Sequence, residues 1–199
     1  MFTKQEAQKL LSYSMGSDLH EEWRKTRLIV DKNGNKSFDP RWKSTKDNRF
    51  ASKYLRQLQD GQTNEKGNIR NVKGEIEVDI ANMTFNELPK DWQAENLAAA
   101  KVAIKSVFND VSSKKNISQN DIESYASTVH DEWLTRNAWA KGGDLDKPYS
   151  ELPENEKSKD RQQIIHALNS VKDLKEGRTD IKDLERRFGK YLGDRGMER

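Results

Sequence analysis

No cysteine occurs anywhere in the chain. Disulfides, thiolate nucleophiles and cysteine-based zinc sites are thereby excluded. No apolar run approaches the roughly 20 residues that a membrane-spanning helix requires. The N-terminal stretch MFTKQEAQKLLSYSMGSD lacks the apolar core of a signal peptide, so a cytoplasmic protein with no membrane partner is the expectation. Strong charge of one sign is also missing. A net charge of +3 falls short of a chain that binds nucleic acid through bulk charge. No glycine-rich phosphate loop is present, because the stretches around Gly142 and Gly189 lack the required spacing. A calcium loop starting at Asp31 fails because Lys36 stands at its glycine position and Trp42 at its glutamate position.

What remains is polar but not featureless. Apolar residues make up 33% and charged residues 35%, yet five Trp, five Tyr and six Phe are spread along the chain. Disordered chains are poor in aromatics. The composition therefore predicts a folded, mostly α protein with a lean core in which a few aromatic rings supply much of the burial.

Periodicity predicts most of the elements. Ala7, Leu10, Leu11 and Met15 recur at helical spacing, with Gly16 read as a break. Residues 17–30 read as a second helix capped by Ser17 or Asp18, and DKNGN at 31–35 as a turn. Residues 36–44 read as irregular around Pro40, and 45–60 as a helix carrying Phe50, Tyr54 and Leu58 on one face. Ile76, Val78 and Ile80 alternate with acids, the one good strand signal, which with residues 69–72 reads as a hairpin. Helices follow at 89–108, from Ser118 onward, at 153–175 up to Gly177, and around Ile181, Leu184 and Phe188.

Two short motifs recur in the same order. LHEEW at 19–23 matches VHDEW at 129–133, an offset of 110 (129 against 19), and FNELP at 85–89 matches YSELP at 149–153, an offset of 64 (149 against 85). After the second motif Ala103 meets Ala167, Ser106 meets Ser170, Val107 meets Val171, and Asn96 aligns with Asp160. Such self-similarity is the mark of a duplicated unit: a helix, a variable loop, an aromatic-x-Glu-Leu-Pro turn and a second helix. The chain divides on this basis into a first repeat over 1–109 with an insertion at about 31–80, a linker at 110–117, and a second repeat with a C-terminal helix over 118–199. The insertion holds the expected basic helix and hairpin.

This pattern resembles the RyR domain, the repeat of ryanodine receptors that is also found in bacterial and phage proteins. The second repeat carries the resemblance over about 129–172, with His130 and Trp133 on one helix, Lys147 in the loop, Tyr149, then Glu151-Leu152-Pro153, Glu156-Lys157 and Asp160-Arg161. The first repeat matches only at 19–23 and 85–108 and lacks the Lys-x-x-Asp-Arg ending. The resemblance implies a tandem pair of pseudo-symmetric helical units, a peripheral or sensing module, and no enzymatic activity.

His20 and His130 invite a metal or general-base reading. A zinc-binding helix needs a second histidine four residues on, and those positions hold Arg24 and Leu134. A His and a Trp three apart share a helix face. Two readings stay open: a half-buried His bonded to a carbonyl or carboxylate and packed beside Trp23 or Trp133, or one wall of a ligand pocket. In the second repeat His130, Trp133, Lys147, Tyr149, Lys157 and Arg161 form an aromatic and cationic set suited to an anionic, nucleotide-like small molecule. Asp160 reads as a member of surface ion pairs. Glu22 and Glu132 precede each Trp, and Glu87 and Glu151 each Leu-Pro; the last two read as local caps or dipole partners, and acid–base catalysis by these carboxylates is set aside because nothing in the sequence fixes their separation. The segment 41–56 holds six basic residues, including Arg41, Lys46, Arg49, Lys53 and Arg56, interleaved with Trp42, Phe50 and Tyr54. It reads either as an amphipathic helix or as a nucleic-acid contact. The expected function is non-enzymatic binding of an anionic ligand or a protein partner, with nucleic-acid association through 41–56 as the alternative. No cofactor, metal site or catalytic residue is assigned.

Overall fold

The computed structural model describes residues 2–45, 55–57, 76–113 and 116–192, with the backbone alone for 55–57 and 76. The described chain is mostly helical, as the composition predicts. Five α-helices are present among these residues: α1 (Lys4–Lys25), α2 (Lys90–Ser112), α3 (Gln119–Arg136), α4 (Glu154–Lys175) and α5 (Ile181–Phe188). Five short strands lie between α1 and α2: β1 (Leu28–Val30), β2 (Lys36–Phe38), β3 (Trp42–Ser44), β4 (Leu55–Gln57) and β5 (Ile76–Asp79). Contacts group the chain into two compact units, residues 17–96, and residues 1–16 together with 97–199.

The discontinuous unit (1–16 and 97–199) is helical. α3 packs on α4, through faces that bury Ala126 and Val129 on one side and Ile164, Ala167, Leu168 and Val171 on the other. α3 starts where Ser118 caps it. The Ser118 hydroxyl accepts from the Asp121 amide, and the Asp121 carboxylate accepts back from the Ser118 amide and hydroxyl, a reciprocal capping box. α4 stops where Gly177 takes φ +71°, the left-handed conformation that glycine reaches without a Cβ penalty. The N-terminal half of α1 meets the C-terminal end of the chain through Tyr13. Its ring stacks 4.6 Å from Tyr191 and 6.2 Å from Phe188.

In the unit formed by residues 17–96, β1 and β2 form a hairpin whose turn is built by Asp31. Its carboxylate accepts from the Asn33 and Asn35 amides, and Gly34 takes φ +82°, which suits a three-residue hairpin loop with a glycine bulge. The second sheet has the order β3-β5-β4, antiparallel throughout. β5 is central, which explains why Glu77 and Asp79 are buried along with Val78. The Asp79 carboxylate accepts from the Arg41 and Ala81 amides and from the Asn82 side chain.

Several expectations are corrected. Gly16 does not break the first helix: α1 runs through it, since one interior glycine costs only about 1 kcal/mol and this one is buried. The helix expected to reach residue 30 stops at Lys25, with i to i−3 bonds from the Thr26 and Arg27 amides, and the apolar Leu28-Ile29-Val30 run becomes a strand. Residues 36–44 hold β2 and β3 where an irregular segment was expected. Within the helix expected over 45–60, residues 55–57 are a strand paired to β5; residues 46–54 and 58–60 lie outside the described residues. β5 pairs with β3 and β4, and the hairpin partner expected at 69–72 also lies outside them. α2 runs on to Ser112, into the segment read as a linker, because no breaker precedes Ser113.

The reciprocal cap at Ser118 gives a direct test. Ser118→Ala is expected to destabilise the protein by about 1 kcal/mol, lowering the melting temperature by roughly 2–4 °C in thermal unfolding. No change would show that Asp121 alone is sufficient.

Candidate functional site

The sequence-selected residues of α3, the 147–153 turn and α4 do come together, and the chain uses them on itself. His130 is buried. Its Nε2 lies 2.9 Å from the Lys147 carbonyl oxygen; a carbonyl only accepts, so Nε2 carries the proton. The other ring nitrogen, Nδ1, faces the Asp160 carboxylate at 3.8 Å. The ring lies 6.1 Å from Trp133 and 6.5 Å from Tyr149. Trp139 meets Trp133 edge-on at 5.6 Å and is itself 66% exposed. Lys147 contributes its carbonyl here, and its residue is otherwise exposed.

The cations are paired in turn. The Tyr149 hydroxyl donates to Glu123 at 2.8 Å, and Arg161 approaches both Glu123 oxygens at 3.3 Å and also pairs with Glu154. Lys157 donates to the Ser150 carbonyl at 2.7 Å and stands 5.8 Å above the Tyr149 ring. The Tyr149 hydrogen bond holds the Glu123 carboxyl below its usual range, with Arg161 adding to the effect. Burial and the Glu123 carboxylate push the Tyr149 phenol well up. The bond to Glu154 raises the Arg161 guanidinium, which stays charged.

Asp160 was expected on the surface. Instead its side chain is 15% exposed and turned toward His130. Burial pushes its carboxyl up to about 6, against the downward pull of the His130 ring. Glu123 and Glu154 are absent from the sequence-derived set. Glu123 was within reach of spacing, since it stands seven residues before His130, two turns away on the same face of α3. Glu154 stands at the first position of α4, three residues before Lys157 and seven before Arg161, so the three share a face.

A matching cluster surrounds the other histidine. His20 is buried, and its Nε2 donates to the Met83 carbonyl at 2.8 Å. Its ring lies 5.7 Å from Trp23 and 6.5 Å from Phe85. Burial lowers the His20 pKa, against the opposing effect of the Met83 bond, which keeps the ring neutral. Gln93 donates to the Phe85 carbonyl at 2.9 Å and, at 3.3 Å, to the Asn86 carbonyl, the latter at the position where Lys157 donates to Ser150. Each aromatic-x-Glu segment is a single 3-10 turn, Phe85–Glu87 and Tyr149–Glu151, with the following Leu88 and Leu152 buried. Glu87 serves as a cap: its carboxylate accepts from the Thr84 amide and hydroxyl. Arg24, outside the sequence-derived set, is buried here. It donates from Nε to the Ala81 carbonyl at 2.8 Å, pairs with Glu21 at 2.7 Å and lies 4.5 Å over the Phe38 ring.

Of the basic aromatic segment, Arg41 is exposed and Trp42 half-buried at the start of β3. Arg56 stands opposite Glu77 in the sheet register, and Lys46, Arg49 and Lys53 lie outside the described residues. Among the described residues, two open grooves lie in the discontinuous unit. One, of about 420 Å³, runs beside Gln5, Lys9, Lys101 and Lys105. The other, of about 550 Å³, is lined by Val111, Ile117, Lys172 and Lys175. Neither is lined by His130, Tyr149 or Arg161. Among the described residues no group of three or more His, Asp or Glu side chains could hold a metal ion, and no helix is long and apolar enough to cross a membrane.

The site is thus a helix–turn–helix cluster in which a buried imidazole ties the turn to the first helix and α4 presents a paired Lys and Arg. Comparison with protein-family models, with curated proteins and with solved structures finds no match to this chain.

The buried Asp160 gives a signed pH dependence. The folded state raises its pKa from 3.8 to about 6, so the native protein holds this proton more tightly than the unfolded chain does. Stability therefore falls as pH rises through that window, and the penalty is complete above it. Relative to wild type, Asp160→Asn is expected to gain stability when urea unfolding is moved from about pH 4 to about pH 7. A difference independent of pH would show that burial of the carboxyl carries no such cost.

Proposed function

We propose that the chain is a non-enzymatic binding module made of two RyR-like repeats, and that the second repeat takes an anionic group on Arg161. The two histidine clusters support the duplication. His20 and Met83 stand at the same offsets as His130 and Lys147, and each pair makes the same ring-to-carbonyl bond. Asn86 and Gln93 likewise correspond to Ser150 and Lys157. In this reading the histidines are fold residues that place the turn, and no catalytic step is assigned to them.

The observation that carries the binding reading is the unequal pair of acids on Arg161. Glu123 is anchored by the Tyr149 hydroxyl, whereas the Glu154 side chain is 76% exposed. An exposed ion pair contributes little, so an incoming carboxylate or phosphate can take the place of Glu154 at small cost. Arg161 offers a planar, permanently charged fork for it, Lys157 stands one turn away, and the first turn of α4 adds the positive end of its dipole. The Tyr149 ring, under Lys157 and hydrogen-bonded to Glu123, is the aromatic group next to this cationic pair.

A thermal-shift series with inorganic phosphate, pyrophosphate and nucleotides at millimolar concentration tests this, because a ligand that binds the native state raises its stability. Melting is expected to rise with at least one of these anions. Glu154→Ala is expected to increase the rise, and Arg161→Ala to abolish it. An unchanged melting temperature across the series, or an unchanged rise in Arg161→Ala, would remove the reading.

A further inference from the structure

The exposed apolar residues of the structure include an uninterrupted run. Leu28, Ile29 and Val30 are 44%, 45% and 56% exposed, and together they make up all of β1. Isolated exposed apolar residues need no explanation, but a contiguous patch does. This patch is also the edge of a sheet: in the described residues β1 pairs with β2 alone. The hairpin bonds fix which backbone groups are used. The Asp39 amide donates to the Arg27 carbonyl, and the Asp31 amide donates to the Asn35 carbonyl. In an antiparallel ladder the bonded positions alternate, so Arg27, Ile29 and Asp31 turn their amides and carbonyls toward β2. Leu28 and Val30 turn theirs outward. β2 has no such opening on its outer side at Phe38. There the Asn82 side chain donates to the Phe38 carbonyl at 3.0 Å and accepts from the Phe38 amide at 3.4 Å.

We infer that β1 is a self-pairing edge, and that its occupant is β1 of a second copy of this chain, joined antiparallel about a two-fold axis through Ile29. Three features single out this occupant and this register. Pairing centred on Ile29 sets Leu28 against Val30 of the second copy and Val30 against Leu28. Every outward amide and carbonyl of the strand is then bonded, and all three apolar residues of both strands are paired. The same register sets Arg27 opposite Asp31 of the second copy at both ends, so unlike charges face each other across the axis, while Arg27 also pairs with Asp39 and Asp31 with the Asn33-Asn35 turn of its own copy. Cross-strand pairs of β-branched residues and of opposite charges are the arrangements that stabilise a sheet. Finally, the assembly closes. Once the two β1 edges meet, the sheet is β2-β1-β1-β2, and the outer side of each β2 is met at Phe38 by Asn82. An isologous contact of this kind yields a dimer and not a fibre.

The contact is small, at the weak end of protein interfaces, so association is expected at roughly 100 µM chain and above. In sedimentation equilibrium the average mass of the full chain is expected to rise from 23.1 kDa toward twice that value. Val30→Pro removes an outward amide and none that β1 gives to β2, since an edge strand accepts proline at such a position. It is expected to stay at 23.1 kDa with an unchanged melting temperature. Ile29→Lys leaves the backbone ladder intact, places like charges face to face, and is expected to do the same if the proline variant fails to fold. The register is read separately. Because the chain has no cysteine, Ile29→Cys carries a single thiol that faces its own copy across the axis, at a non-bonded pair with Cα atoms about 4.5 Å apart, within the range of a disulfide. It is expected to cross-link under mild oxidation at least about tenfold faster than Leu28→Cys, whose thiol faces Val30 of the second copy. A wild-type chain that stays at 23.1 kDa throughout, association unaffected by both Val30→Pro and Ile29→Lys, or equal cross-linking of the two cysteine variants would overturn the proposal.

Discussion

Each of the two histidine clusters depends on a single bond, the one from a helix imidazole to a loop carbonyl. His130 reaches the Lys147 carbonyl across 17 positions of chain, and His20 reaches the Met83 carbonyl across 63. The two bonds differ by 0.1 Å in length, although one loop is more than three times the other. Loop-closure entropy rises only with the logarithm of loop length, so a long excursion adds little once the ends are held. Holding the ends is the role of the imidazole. It fixes where the aromatic residue of the following turn stands, and with it the origin of the next helix. The His20 bond is buried, so losing it strands the Met83 carbonyl away from water, which is costly.

Charge is distributed unevenly between the two clusters. Asp160 stands beside His130 with its carboxyl pushed up to about 6, whereas the position at the same offset in the first cluster is the uncharged Asn96, whose amide donates to the Trp92 carbonyl. Conversely, the first cluster buries Arg24 against the Ala81 carbonyl and the Phe38 ring, where the second has Leu134. Burying a guanidinium is tolerable because its Nε–H is bonded and Glu21 neutralises it. The first cluster therefore spends its charge inside. The second carries its charge toward the surface on Lys157 and Arg161.

How much of this was legible in the sequence depends on the range of the interaction. The recurring His-x-x-Trp and Glu-Leu-Pro frames located both clusters, because periodicity along one helix and a 3-10 turn before a proline are local properties. The cap at Ser118 and the stop at Gly177 were readable for the same reason. That Glu123 pairs with Arg161 was not, since it reaches across from α3 to α4 and pairing across helices has no period, whereas Glu154 shares the face of Arg161 on α4. The burial of Asp160 was misjudged because an Asp-Arg dipeptide on a polar helix gives no sign that α3 covers one of the two. The insertion was misread most. Leu28-Ile29-Val30 continues a helical pattern in sequence, yet three residues with β propensity before an Asp-x-x-Gly turn fold as a strand once that turn closes. Likewise the residues at 55–57 fit a helical face but are recruited as an edge by β5, a non-local choice that single-chain periodicity does not record.

The stack of Tyr13 on Phe188 and Tyr191 has a consequence for how the protein comes into being. Residues 1–16 belong to the same compact unit as residues made some eighty positions later in the chain, from Leu97 onward. Tyr13, fully buried in the finished protein, therefore gains these ring partners only once Phe188 and Tyr191 have been made. Domains generally fold as they emerge, but this one is held open until its C-terminal segment arrives. A ribosomal pause or premature stop before Phe188 leaves the Tyr13 ring without its stacking partners, which makes that interval of synthesis the one in which a chaperone is most needed at this surface.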